Sequence, residues 1–330
     1  MTNHTVAGTG TIRWLNTSRR AATELYLHLY LNAFKNNRTR FLRSPFGVGR
    51  NAGRPRDWGY IDVKYLRARE LGGVDLWPAA SAHSPGDPDD QTDIRVPLPA
   101  PIAPGQLLTL DVQFESKLPE IVERTGYSNN FYLVGQWYPK LARRRPDGSW
   151  AHFSFDARSE FFADFGAYSV TLDVPEWMGV AATGTRVAER VERGRRIVRH
   201  EMRPVHDFAW AAWDRFEERR ERVGAVEVRI LYPPGYAHNA ELSLQSVRFA
   251  LPLYSQLYGA YPYPVLTIVS PPEDAAAAGG MEYPTLITTG GPWYLGYLGR
   301  GVEAVTVHEL AHQWFYGLVA TDEQAWPFLD

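Results

Sequence analysis

Along its first two-thirds the chain alternates apolar and polar positions with a period of two. Leu108, Leu110, Val112 and Phe114 interleave with Thr109, Asp111 and Gln113, the signature of a half-buried strand. Tyr168, Val170, Leu172 and Val174 repeat it, as do Val226, Val228, Ile230 and Tyr232. Leu25, Leu27, Leu29 and Leu31 alternate with Tyr26, His28 and Tyr30, predicting a strand with one aliphatic and one aromatic face. Arg186 to Val191 and Arg196 to Met202, separated by Glu192-Arg193-Gly194-Arg195, predict a charged hairpin. Strands in this number, with Pro and Gly turns, point to a large antiparallel β domain.

The period changes near Pro233-Pro234-Gly235. Leu244, Val247, Leu251, Tyr254 and Leu257 recur at helical spacing from Glu241 until Gly259 stops them, with Pro252 expected to kink the helix. Val265 to Val269 and Thr285 to Thr289 read as short buried strands, and Gly301 to about Leu318 as a helix. The expected organisation is therefore a β-rich domain over 1–233 and the beginning of a second domain over 234–330. No internal repeat is visible.

Composition narrows the function classes. The chain has 330 residues, 45% of them apolar, which is enough for two real cores. A net charge of −2 gives no electrostatic case for nucleic acid. The Arg143-Arg144-Arg145 run and the Arg215 to Arg222 stretch are expected to be solvated turns. The polar segment Ser81 to Asp93 reads as a surface loop; Pro88 and the missing Gly and Glu spoil a calcium-loop reading. There is no cysteine, so any metal must be held by His and carboxylates. The N-terminal residues lack a signal-peptide layout and no apolar run reaches membrane-spanning length. A cytoplasmic location is the default expectation.

The candidate chemistry lies in the last helix. His308-Glu309-Leu310-Ala311-His312 has the HExxH pattern: residues four apart share a helix face, so both imidazoles can reach one zinc ion. Glu309 flanks that face and can take a proton from a bound water. A third ligand is required. The metzincin solution fails, because Phe315 and Leu318 stand where a Gly and a His would be needed.

His308 to Phe315 (HELAHQWF) closely resembles the zinc helix of peptidase family M1, the aminopeptidase-N-like gluzincins. Gly279-Gly280-Met281-Glu282-Tyr283-Pro284, upstream of it, resembles that family's exopeptidase motif, Gly-x-Met-Glu-Asn. The resemblance implies an N-terminal antiparallel β domain followed by the first part of a thermolysin-like α+β catalytic domain. It implies one Zn2+ on His308 and His312, with Glu309 as the general base. Glu282 would bind the free α-amino group of a peptide substrate, and Gly279, Gly280 and Met281 would line the edge along which that peptide lies. The implied activity is removal of N-terminal residues by a metallo-aminopeptidase. Tyr283 departs from the motif's Asn, and the Asp-Glu-Pro signature of the N-terminal domain is missing.

In that family the third ligand is a Glu separated from the second His by eighteen intervening residues, which here falls at position 331, one past Asp330. The catalytic Tyr lies further on. Asp330 and Glu323 are poor substitutes: Asp330 is short and out of helical phase, and Glu323 sits too near the His helix. The expectation is an incomplete, weakly active form of the enzyme. The alternative is a non-catalytic aminopeptidase-like scaffold or binding protein, which the joint presence of His308, Glu309, His312 and Glu282 argues against.

Overall fold

Unit one pairs its longest strands over one hundred residues of sequence. In a computed structural model, which describes residues 3–44, 55–83, 87–157, 160–290, 300–326 and 328, the chain divides into two compact units. The first contains residues 1–122 and 136–164, the second 123–135 and 165–330.

In the first unit, Thr5–Leu15 pairs antiparallel with Leu107–Lys117, which pairs in turn with Tyr60–Ala68. Leu108, Leu110, Val112 and Phe114 are all buried, as their alternation requires. A second sheet holds Ala22–His28 between Asp93–Ile102 and Lys140–Leu141. Here the strand ends at His28, and Tyr30–Phe34 forms a 3-10 turn with all five residues buried. The Leu-x-Leu alternation therefore overruns its strand, because Leu29 and Leu31 find core contacts in the turn instead. Arg144 is also not a solvated turn residue. It lies in a short strand, its Nε donates to Ser18 Oγ at 3.1 Å, and its guanidinium sits 5.0 Å over the Trp150 ring. Ser81–Ala82 forms a short strand against Asp93–Ile102, so the expected loop is anchored at both ends.

The second unit holds three sheets. The predicted hairpin is present as Thr185–Glu192 and Arg195–Val205. Arg193 and Gly194 both take positive φ at its tip, the turn whose twist matches the flanking strands. A four-stranded sheet runs Gly179–Ala182, Trp210–Trp213, Phe131–Val134 and Gly126–Ser128.

The third sheet positions the candidate site. Its strands are Glu217–Val223, Val226–Tyr232, Val265–Val269 and Leu286–Thr288, the last two joining in parallel. A parallel neighbour needs a crossover, and helix α1 (Ala237–Tyr258) supplies it. The helix runs through Pro252 as one element. Leu244, Val247 and Leu251 face the core, but Leu257 is 59% exposed, beyond the part of α1 that the sheet covers.

Helix α2 (Gly301–Ala311) is shorter than the apolar pattern predicts. After Ala311 the hydrogen bonds shorten to Gln313 N–Leu310 O (3.1 Å) and Trp314 N–Ala311 O (3.0 Å). Tyr316 then takes φ +75 and Gly317 N closes on His312 O at 2.9 Å. Any Cβ at position 317 would lie 2.6 Å from Gln313 O, so the chain needs glycine to turn there. Among the described residues no helix is long and apolar enough to cross a membrane.

Two buried histidines make stability fall on acidification. Burial lowers His28 to about 3 and His200 to about 4. The unfolded chain takes up those protons near pH 6.5, before the folded chain can, so stability is lost as pH drops below that value. His200 alone accounts for roughly 2 kcal/mol between pH 7.5 and pH 5. Thermal melts of His200→Gln should show a shallower loss over that interval than the parent. Gly184 is a second sensitive point: its φ is +83, and an added Cβ would meet Glu201 O at 2.5 Å. Gly184→Ala should cost on the order of 2–4 kcal/mol in denaturant unfolding.

Candidate metal centre

Helix α2 brings His308 and His312 together at its C-terminal end. Their rings are 4.8 Å apart at 83°, and the two Nε2 atoms are separated by 3.2 Å. Two nitrogens each about 2.0–2.1 Å from a tetrahedral zinc would stand roughly 3.3 Å apart. An imidazole-to-imidazole hydrogen bond has a similar length, so distance alone does not decide. The second nitrogen of His312 does more. Its Nδ1 is 3.3 Å from the Phe315 carbonyl, which can only accept, so that nitrogen carries the proton and Nε2 presents its lone pair. This is the tautomer a metal ligand needs. The imidazole pair supplies two donors of a kind that zinc accepts.

Burial grades across the helix end. His312 is 5% exposed and Glu309 4%, whereas His308 stands at the exposed rim. Among the described residues no group of three or more His, Asp or Glu could hold a metal ion. Glu323 is fully buried and accepts a hydrogen bond from Thr321 Oγ1 at 3.1 Å. Asp330 lies outside the described residues.

Glu282 sits on the segment linking two parallel strands. That segment leaves Val269, forms a 3-10 stretch at Glu273–Ala278, and then runs beside Leu286–Thr288. Gly280 N donates to Thr288 O at 2.7 Å, and Thr288 N to Met281 O at 2.8 Å. Gly280 takes φ +65, and a Cβ on Gly279 would lie 2.9 Å from Thr289 O. Backbone conformation thus accounts for Gly280 and close backbone packing for Gly279. Met281 and Glu282 are buried, at 3% and 4% exposure.

Tyr283 points away from solvent too. Its hydroxyl donates to Arg124 O at 3.4 Å, and the ring fills space over Gly135, where a Cβ would fall 1.9 Å from the hydroxyl. A side chain as large as Tyr at the motif's Asn position therefore depends on glycine at 135.

Two contributors are not singled out by sequence patterns. Gln313 follows His312 and is 1% exposed. Its Oε1 accepts from Thr285 N at 2.8 Å, and its Nε2 donates to the carbonyls of Tyr283 (3.3 Å) and Glu282 (3.5 Å). Thr285 holds φ +59, a rare backbone state for a β-branched residue. The available signal was an amide placed between His312 and Trp314, where a helix end turns into the core.

No family model matches the chain, and no curated protein matches it. Solved structures do. An M1 zinc metallopeptidase from Deinococcus radiodurans aligns with a TM-score of 0.57 at 16% identity, over 94% of this chain and 59% of that one. A mutant M1 zinc metallopeptidase from the same organism, bound to a Tyr-Ser-Ala substrate, gives 0.55 at 16% identity, over 94% and 60%. A mutant two-domain M1 zinc metallopeptidase bound to L-tryptophan gives 0.56 at 16% identity, over 94% and 61%. The chain spans about 60% of the length of these structures. The mostly β architecture, with its several antiparallel sheets, matches part of the fold of M1 zinc metallopeptidases.

Proposed function

We propose that the chain carries residues of a zinc-dependent aminopeptidase centre. One observation carries this reading: α2 converges two imidazole nitrogens to 3.2 Å, with Nδ1 of His312 committed to a backbone carbonyl. His308 and His312 would hold the ion. Bound there, zinc would acidify a water and polarise the scissile carbonyl.

The remaining chemistry falls to the chain's own groups. Glu309, buried beside the ligand pair, accepts a proton from the attacking water and returns it to the departing amine. Glu282 binds the α-ammonium group of the substrate through a charge-assisted hydrogen bond. A fixed carboxylate at that point selects chains that begin one residue before the scissile bond. The segment Gly279–Met281 lies along the edge of Leu286–Thr288 and supplies a flat backbone wall for an extended peptide. The fold shared with M1 zinc metallopeptidases supports the same reading.

Substitutions in the protein separate these roles. Glu282→Ala should lower kcat/KM for peptides with a free N-terminus by roughly 30-fold or more, the effect of truncating one partner of a buried charge pair. Its zinc content should stay at the parent level, and parallel loss of metal would remove the amine-binding role. Glu309→Ala should cost about 10²–10⁴ in kcat with zinc retained, the range for a general base. His308→Ala and His312→Ala should each abolish zinc retention through dialysis, measured by elemental analysis.

A further inference from the structure

We propose that Gln313 is a positioning residue that sets the distance between the amine-binding carboxylate and the imidazole pair. The inference rests on the aminopeptidase reading given above. Its physical basis is the placement of one buried amide.

Gln313 is covalently next to His312, and its backbone N–H is tied to Leu310 O at 3.1 Å, so its Cα moves with the end of α2. Its side chain reaches the turn that carries Glu282. A primary amide offers two donors and one carbonyl acceptor. Here the acceptor takes the Thr285 amide, and the donor nitrogen bonds to the carbonyls of Tyr283 and Glu282. One planar group therefore grips three consecutive-turn backbone sites from Glu282 to Thr285.

The turn is tied to the sheet by backbone pairing of Gly280 and Met281 with Thr288 and by Leu286 N donating to Tyr283 O at 2.9 Å. Thr285 is fully buried, so no water can replace the acceptor for its amide. Its other groups are committed elsewhere: Oγ1 accepts from Gly184 N at 2.7 Å, and its carbonyl accepts from Thr267 N at 2.8 Å. Those two contacts hold the turn to the sheet framework. Gln313 alone among them holds it to the helix that carries the histidines. With φ +59 at Thr285, the turn is in a strained state that the surrounding hydrogen bonds must maintain. Loss of the amide would release it toward an ordinary backbone conformation and shift Glu282.

The consequence for an exopeptidase is specific. The α-ammonium and the scissile carbonyl of a substrate are one residue apart, so the spacing of their two binding groups must be held closely. A displacement of about 1 Å can cost on the order of 100-fold in rate. Substrates that do not use Glu282 should not notice.

The test uses Gln313→Met, which keeps the volume and removes every hydrogen bond, and Gln313→Glu, which keeps the acceptor for Thr285 N. Glu282→Ala is run beside them. KM and kcat are measured for an aminoacyl anilide and for its N-acetyl analogue, with zinc affinity by chelator competition. Calorimetry on the metal-free proteins measures binding of leucinamide and of N-acetyl-leucinamide. Gln313→Met should raise KM for the free-amine substrate about 10-fold to 100-fold with a smaller change in kcat. It should weaken leucinamide binding in proportion and leave zinc affinity and the N-acetyl substrate unchanged. Gln313→Glu should fall between parent and Gln313→Met. If Gln313→Met does not fold, Gln313→Glu carries the test, and an unchanged preference for the free amine in it overturns the proposal. Equal losses on free and acetylated substrates in Gln313→Met, tracking its melting temperature, would also overturn it. Should Glu282→Ala keep full amine preference, the aminopeptidase reading itself fails. Should Glu282→Ala lose it while Gln313→Met keeps it, only the positioning role is wrong.

Discussion

The docking of Trp314 is the contact on which the candidate centre depends. Its indole N–H donates to Gly259 O at 2.8 Å, and its ring meets Tyr254 edge-on and Tyr261 at an angle. It is 2% exposed and belongs to the core formed by α1, the mixed sheet and Leu310. Burying an aromatic side chain of this size is worth roughly 4–6 kcal/mol of transfer free energy, an upper bound. That anchor fixes the rotation of α2 about its axis together with buried Leu310 and Thr306, whose hydroxyl lies 3.1 Å from Ser243 Oγ. Rotation decides whether His308 and His312 face one point, and it also decides whether Gln313 faces the Glu282 turn.

How much of this was legible depends on the length scale of each cause. The strand Leu107–Lys117 was, because a period of two with buried alternate residues has no competing explanation. The hairpin tip at Arg193-Gly194 was, because few dipeptides accept two positive φ values. The 3-10 turn at Tyr30–Phe34 was not: Leu29 and Leu31 are buried either way, and apolar content cannot tell a strand from a turn that dips into the core. The early end of α2 was also hidden. Trp314 and Phe315 continue the apolar pattern, yet the helix stops because the Trp docks and Gly317 lets the chain fold back on His312. Arg144 shows the same limit for charge, since a run of three arginines says nothing about which one stacks on Trp150.

Around the candidate centre several backbone states run against local preference. Arg300 enters α2 with φ +41, Tyr316 leaves it with φ +75, and Thr285 holds φ +59 beside Glu282. None of these residues favours that region, and each such state costs about 1–3 kcal/mol. Elsewhere the turns mostly use glycine, as at Gly194 and Gly235, where the same backbone is nearly free. Strain concentrated around two histidines and two glutamates is what a constrained site produces, because the side-chain directions matter more there than the backbone's preference. The HExxH spacing and Glu282 could be read from residue order; Gln313 and Thr285 could not, since their contribution exists only once the helix end and the turn have met.

The contrast between fold and sequence likeness follows from the same division. At 16% identity most aligned positions differ from those of the solved structure, yet the architecture persists over 94% of the chain. Cores tolerate wide exchange among apolar residues when volume and patterning are kept, so fold survives where sequence resemblance fades. A centre has no such latitude. Moving an imidazole by one position on α2 turns it about 100° away from its partner. Fold likeness therefore carries little weight for activity, and the weight rests on a handful of groups: the convergent Nε2 pair, the tautomer set by Phe315 O, and the amide that joins the Glu282 turn to the same helix. All of them lie between His308 and Phe315, and the docking of Trp314 within that stretch holds this helix end against the core.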